Sequence, residues 1–177
     1  MTIETYFSVD VETDGPIPGP YSMRSIGIVV AGFRDERGRF VRADLSDTFY
    51  RELLPISDQY DPEAQAIAGI DRAHGGDPTD AMVDAAAWIH ARAESPIMVA
   101  YPLGFDWSWV HWYFVRFVGS SPFKHSRGFD LKTAIATKLN RPIVRSGHRH
   151  LPSSRQCTHN ALDDAIAQAE IFCDLFS

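Results

Sequence analysis

Cysteine is scarce: the 177 residues hold only Cys157 and Cys173, and these do not have the spacing of a metal site. That favours a reducing, cytoplasmic setting. No apolar run approaches the roughly eighteen residues of a membrane-spanning helix, so no membrane partner is expected. The N-terminus lacks the basic start and apolar stretch of a signal peptide and leads directly into a strand-like segment. Internal repeats, low-complexity tracts and linkers are absent too, so one domain over residues 1–177 is expected. An excess of positive charge is also missing. Seventeen basic residues face 23 acidic ones, for a net charge of −6, which alone argues mildly against a nucleic-acid partner.

What is present qualifies that last point. Between Phe123 and His159 stand Lys124, Arg127, Lys132, Lys138, Arg141, Arg145, Arg149 and Arg155 against Asp130 alone, a local net charge of +7. The remainder must then carry −13. A basic segment on an acidic body steers a polyanion to one place; the alternative is scattered solvated charge.

The pattern of elements is of the α/β class. Thr5–Glu12, Ser22–Phe33 and Phe40–Arg51 read as an antiparallel meander, with a turn at Asp35-Glu36-Arg37-Gly38. Helices are expected over Pro62–Ile70 (N-cap Asp61), Thr79–Ala93, Phe105–Val118, Leu131–Leu139 and Ala161–Phe176 (N-cap Asn160). Pro96–Tyr101 follows a helix and suits a strand parallel to the first. The aromatics of Phe105–Phe117 recur at helical spacing and read as core, or as a homodimer interface.

The segment "YFSVDVETDGPIPG" carries the first chemical signal. An apolar strand runs straight into Asp10 and Glu12, two carboxylates on one face. Buried ionised acids are expensive unless a counter-charge meets them. Asp106 follows the fourth strand and Asp164 opens the last helix. If the first and fourth strands are neighbours, these acids meet at the edge where open α/β sheets bind ligands. Oxygen donors without cysteine suit Mg²⁺ or Mn²⁺, and two such ions clamp the attacking and leaving oxygens of phosphoryl chemistry. His159 stands just before the last helix. A neutral imidazole there can take a proton from water, or can simply be a helix-start histidine. Nothing marks Cys157 as an activated nucleophile.

Together "VDVETDG", "GFDWSW" and "HNALDDA" resemble the three motifs of the DEDDh 3′–5′ exonuclease family, over Val9 to Ala165. The resemblance implies an RNase H-like fold: a mixed five-stranded sheet, three strands antiparallel and the others parallel, flanked by helices. It implies that Asp10, Glu12, Asp106 and Asp164 hold two divalent cations. His159 would be the general base, and Glu12 would also touch the terminal 3′-OH. The H-x₄-D spacing selects Asp164, leaving Asp163 at the helix cap. The substrate would be the 3′ end of single-stranded RNA or DNA, RNA slightly favoured, released as nucleoside 5′-monophosphates. Thr13 and Gly15 would line the substrate site, and Ile17, Tyr21 or Met23 would be the wedge between the last bases. Arg149 and Arg155, in the basic segment leading to His159, would grip phosphates. Two features depart from the family: Ala100-Tyr101-Pro102-Leu103-Gly104 lacks its usual Asn, and Pro16-Ile17-Pro18 replaces its bulky apolar wedge. The rival readings are an inactive nucleic-acid-binding or scaffold domain on the same fold, and a carboxylate-pair glycosidase, in which His159 and the arginines have no part.

Overall fold

Ten residues, Glu4–Thr13, form strand β1 at the centre of the sheet in the computed structural model, which describes residues 4–143 and 158–176. Alternation explains its place. Phe7, Val9 and Val11 are buried in one core, while Tyr6 packs into a second core on the other face. Asp10 and Glu12 share the parity of Tyr6. β1 pairs antiparallel with β2 (Met23–Arg34) and parallel with β5 (Ser95–Ala100), as expected for the fourth strand. A short β6 (Gly128–Asp130) runs parallel beside β5.

Among the described residues the sheet has six strands rather than the expected five. The single strand expected over Phe40–Arg51 is two: β3 (Phe40–Arg42) and β4 (Thr48–Glu52), both antiparallel to β2 and lying end to end along its outer edge. The physical cause is the intervening "ADLSD". The Asp44 carboxylate accepts from the Ser46 N–H (3.0 Å) and hydroxyl (2.8 Å), a local turn that competes with the ladder. Leu45 there takes a left-handed φ of 64°.

Among the described residues five helices flank the sheet: α1 (Pro62–Ala68), α2 (Pro78–His90), α3 (Leu103–Val118), α4 (Leu131–Lys138) and α5 (Ala161–Leu175). α1 ends earlier than expected because Gly69, at φ 66°, caps it in the left-handed region. α2 and α3 cover the Phe7–Val9–Val11 face; their Met82, Ile89, Trp109, Tyr113 and Phe114 are fully buried or nearly so. Burial of each large apolar side chain stabilises the fold by about 1.5–3 kcal/mol. Most of the aromatic run on α3 is therefore core. α5 covers the opposite face with Ala165, Ala169 and Phe172. Among the described residues no helix is long and apolar enough to cross a membrane.

Gly27 sets how closely α5 approaches. It pairs with Asp10, and a Cβ built on it would lie 2.3 Å from the Ala161 carbonyl carbon and oxygen. Only a glycine lets the first turn of α5 rest on β2. Gly27→Ala is expected to cost about 1–3 kcal/mol through overpacking against backbone. Urea unfolding measures this, and an unchanged midpoint would mean that α5 can shift there without cost.

Candidate active site

Three chain segments bring the acids together. β1 delivers Asp10 and Glu12, and its regular pairing with β2 shifts register immediately after Glu12. Such irregularities re-aim side chains beside sites. β5 ends one strand away, and the chain turns through a cis Tyr101–Pro102 peptide into α3, which carries Asp106 in its first turn. Asp106 is buried, and its Oδ1 accepts the Val11 N–H at 3.2 Å, which stitches α3 to β1 between the two strand acids. α5 delivers Asp164, also buried, from its first turn.

Asp164 explains its own spacing from His159. Its two oxygens accept the Thr158 N–H (3.1 Å) and the His159 N–H (3.2 Å). His159 sits at φ 55°, a conformation that costs a non-glycine residue roughly 1 kcal/mol. The charge-assisted bonds offset that cost. Asn160 caps the helix through Leu162 and Asp163, so Asp163 stays in the capping turn, as its position suggested.

The result is a cavity of about 160 Å³ lined by Asp10, Glu12, Asp106, His159 and Asp164, together with Tyr101 and Phe105. One ligand atom from each of Glu12, His159 and Asp164 lies within 4.8 Å of the others. Burial, and then the charges of Asp106, Glu12 and Asp164, hold Asp10 well above the ordinary carboxylate range. Burial lifts Asp106 likewise, against the pull of the Val11 N–H. Burial and the Asp164 charge push Glu12 up to about 7. Among the described residues no basic side chain raises a counter-charge against Asp10, Glu12 or Asp106. Oxygen donors with one imidazole are a donor set that suits a hard divalent cation.

A second cavity of about 420 Å³ adjoins the first, sharing Val11, Glu12 and Phe105. Its walls include Thr13, Gly15 and Pro16 on one side, and Asp61, Glu63, Ala64 and Ile67 of the α1 region on the other. Thr13 and Gly15 both line this second cavity, with the Thr13 hydroxyl donating to the Gly15 carbonyl at 2.9 Å. Ile17 is exposed in the following turn and is free to contact a ligand. Met23 is not: it is fully buried in the core, and its N–H donates to the Tyr113 hydroxyl at 2.6 Å, so it cannot serve as a wedge. Tyr21 is partly buried against that core, pressed on Gly15, where a Cβ would meet its ring at 2.1 Å. Arg149, Arg155 and Cys157 lie outside the described residues. Within the described part of the basic segment, Arg127 is spent on an ion pair with Glu4. Lys132 stands 6.0 Å from the Tyr101 ring that lines the catalytic cavity.

Sequence reasoning missed four contributors. Gln168 donates from Nε2 to Asp10 Oδ1 at 2.6 Å, and the signal for it was its place one turn beyond Asp164. Phe105 is exposed on both cavities instead of joining the core with its aromatic neighbours. Asp14, buried, and Arg72, partly exposed, form an ion pair at 2.5 Å in the turn that follows Glu12. Nothing short of the fold pairs those two.

Comparison with known proteins gives a consistent result. Residues 5–176 match a family model described as the 3'-5' exoribonuclease Rv2179c-like domain. The chain is 35% identical over 180 residues to the 3'-5' DNA exonuclease Cap18 of Escherichia coli, covering 96% of this chain and 90% of that protein. Among solved structures it resembles E. coli exonuclease I in complex with a dT13 oligonucleotide, with TM-score 0.64 and 18% identity over 97% of this chain. A second exonuclease I structure gives TM-score 0.68 and 16% identity over 99% of this chain. This chain spans 40% of the length of those exonuclease I chains, and at such identity the likeness speaks to the fold, which is RNase H-like.

The raised acids make stability depend on pH. Glu12 at about 7, against 4.5 for a free glutamate carboxyl, keeps a proton in the folded state that the unfolded chain releases. Stability of the metal-free protein is therefore highest below the unfolded value and is lost as pH rises through about 7, by an amount on the order of 1–3 kcal/mol from this group. Melting in EDTA is expected to occur at a lower temperature at pH 8 than at pH 5, with a smaller difference in Glu12→Gln. A divalent cation held by the ionised cluster would reverse the slope. An identical pH slope in Glu12→Gln would refute this account.

Proposed function

The chain belongs to the 3'-5' exoribonuclease Rv2179c-like family of phosphodiester hydrolases, and we propose that it is a metal-dependent exonuclease acting on the 3′ end of single-stranded nucleic acid. Residues 1–177 would form one catalytic domain. The observation that carries this reading is the convergence of Asp10, Glu12, Asp106, His159 and Asp164 on one cavity from segments more than 150 residues apart in sequence.

Asp10, Glu12, Asp106 and Asp164 would hold two divalent cations, Mg²⁺ or Mn²⁺. When bound, the cations neutralise the carboxylates and stabilise charge on the phosphoryl oxygens. His159 acts as general base, accepting the proton of the attacking water at its imidazole. The water oxygen bonds to the terminal phosphorus as the bond to the 3′ oxygen of the penultimate nucleotide breaks, and a nucleoside 5′-monophosphate departs. Glu12 borders both cavities, which suits its additional role of meeting the terminal 3′-OH. The larger cavity receives the terminal nucleoside, with Phe105 and Ile67 as apolar walls. Ile17 is the wedge. Lys132, Arg149 and Arg155 orient the backbone without reading sequence.

RNA is the slightly favoured substrate. The family description names RNA, and the acceptors Glu12, Thr13 and Glu63 around the nucleoside cavity suit the extra hydroxyl of ribose. The E. coli relative is named for DNA, so both polymers belong in the test.

The test uses 5′-labelled single- and double-stranded RNA and DNA with Mn²⁺ or Mg²⁺ at fixed salt. Stepwise trimming from the 3′ end is expected, abolished by EDTA and by Asp10→Ala. His159→Ala is expected to lower kcat by about 10²–10⁴-fold. Undiminished trimming by Asp10→Ala would refute the assignment, and DNA cleavage with RNA untouched would reverse the substrate preference.

A further inference from the structure

Gln168 is 3% exposed and lines the catalytic cavity, yet it belongs to none of the three sequence motifs. It lies four residues beyond Asp164 on α5, hence on the same helix face. Its Nε2 donates to Asp10 Oδ1 at 2.6 Å and so joins α5 to β1. Its Oε1 is buried with no hydrogen-bond partner among the described residues. An unmet buried acceptor costs roughly 1–3 kcal/mol, so stability alone is a poor reason for this side chain.

We propose that Gln168 is a positioning residue for the acidic centre: its amide fixes Asp10 by one oxygen and leaves the other oxygen for a divalent cation. This rests on the reading of the acid cluster as a cation site. The chemistry of the position favours a neutral donor. Lysine or arginine would occupy Asp10 with a permanent positive charge and compete with the cation. Glutamate would add another negative charge where burial and Asp106, Glu12 and Asp164 already raise Asp10. Leucine or methionine would fill the space but leave the Asp10 carboxylate free to turn. Partners of this kind, one bond removed from the metal, typically change affinity by about 10–100-fold when lost.

The decisive measurement is calorimetric Mn²⁺ titration of the full chain without nucleic acid, on wild type, Gln168→Leu, Gln168→Met and Asp10→Ala. Melting in EDTA is recorded alongside. Mn²⁺ binding is expected to weaken by about 10–100-fold in both Gln168 variants. Their melting temperatures in EDTA should change little, since the orphaned Oε1 is removed while Asp10 Oδ1 loses its donor. Wild-type affinity in either well-folded Gln168 variant, with Asp10→Ala impaired, overturns the positioning role alone. Lower melting temperatures with unaltered Mn²⁺ affinity do the same, leaving Gln168 a structural residue. A wild type that binds no Mn²⁺, or binds it no better than Asp10→Ala, overturns the cation-site reading beneath it.

Discussion

Carboxylates that share one small cavity repel one another, and the molecule is arranged around making that repulsion bearable. Burial, which ordinarily disfavours charge, is used here to sharpen demand for a cation. Asp10, Glu12 and Asp106 all rise above their ordinary range. Partial relief comes from the backbone. The first turns of α3 and α5, with positive helix ends, carry two of the acids, and N–H groups of Val11, Thr158 and His159 meet Asp106 and Asp164. These dipoles hold geometry without cancelling the charge.

Rigidity follows from the same contacts. Asp164 anchors the residues before its own helix while remaining part of the cavity. Gly27 lets that helix rest on β2, and β2 in turn holds Asp10 through the ladder. The acids thus sit on the central strand and on two helix starts, supports far stiffer than loops.

Much of this was legible in the chain. Asp10 and Glu12 break an apolar strand, which buried strands avoid without cause. Asp106 and Asp164 open helices that follow from periodicity and caps. The parallel placement of Pro96–Tyr101 follows from its helical connection. The split of the third strand was hidden, because a local turn at Asp44 and Ser46 outweighed β-propensity that looked continuous. Met23 looked available beside the first motif, yet it lies in the core with Ile26 and Ile28, at the register shift that follows Glu12. Phe105 reads like its aromatic neighbours, and only the fold shows that it lines both cavities instead. Gln168 carries no mark of its own. A glutamine on a helix is usually solvated, and its partner lies 158 residues away.

Arg24 has a wider consequence. Fully buried on β2, it donates to the carbonyls of Leu53 (3.0 Å), Asp71 (3.2 Å) and His74 (3.0 Å) and to Gln65 on α1 (3.3 Å). The Asp61 N–H ties the same helix to the Asp14 carbonyl at 2.7 Å. The α1 wall of the larger cavity therefore hangs from the strands β1 and β2, whereas Asp164 rides on α5 and holds the His159 N–H. The two cavities thus have separate mountings, so selection can reshape the wall at α1 while the acid cluster stays as it is.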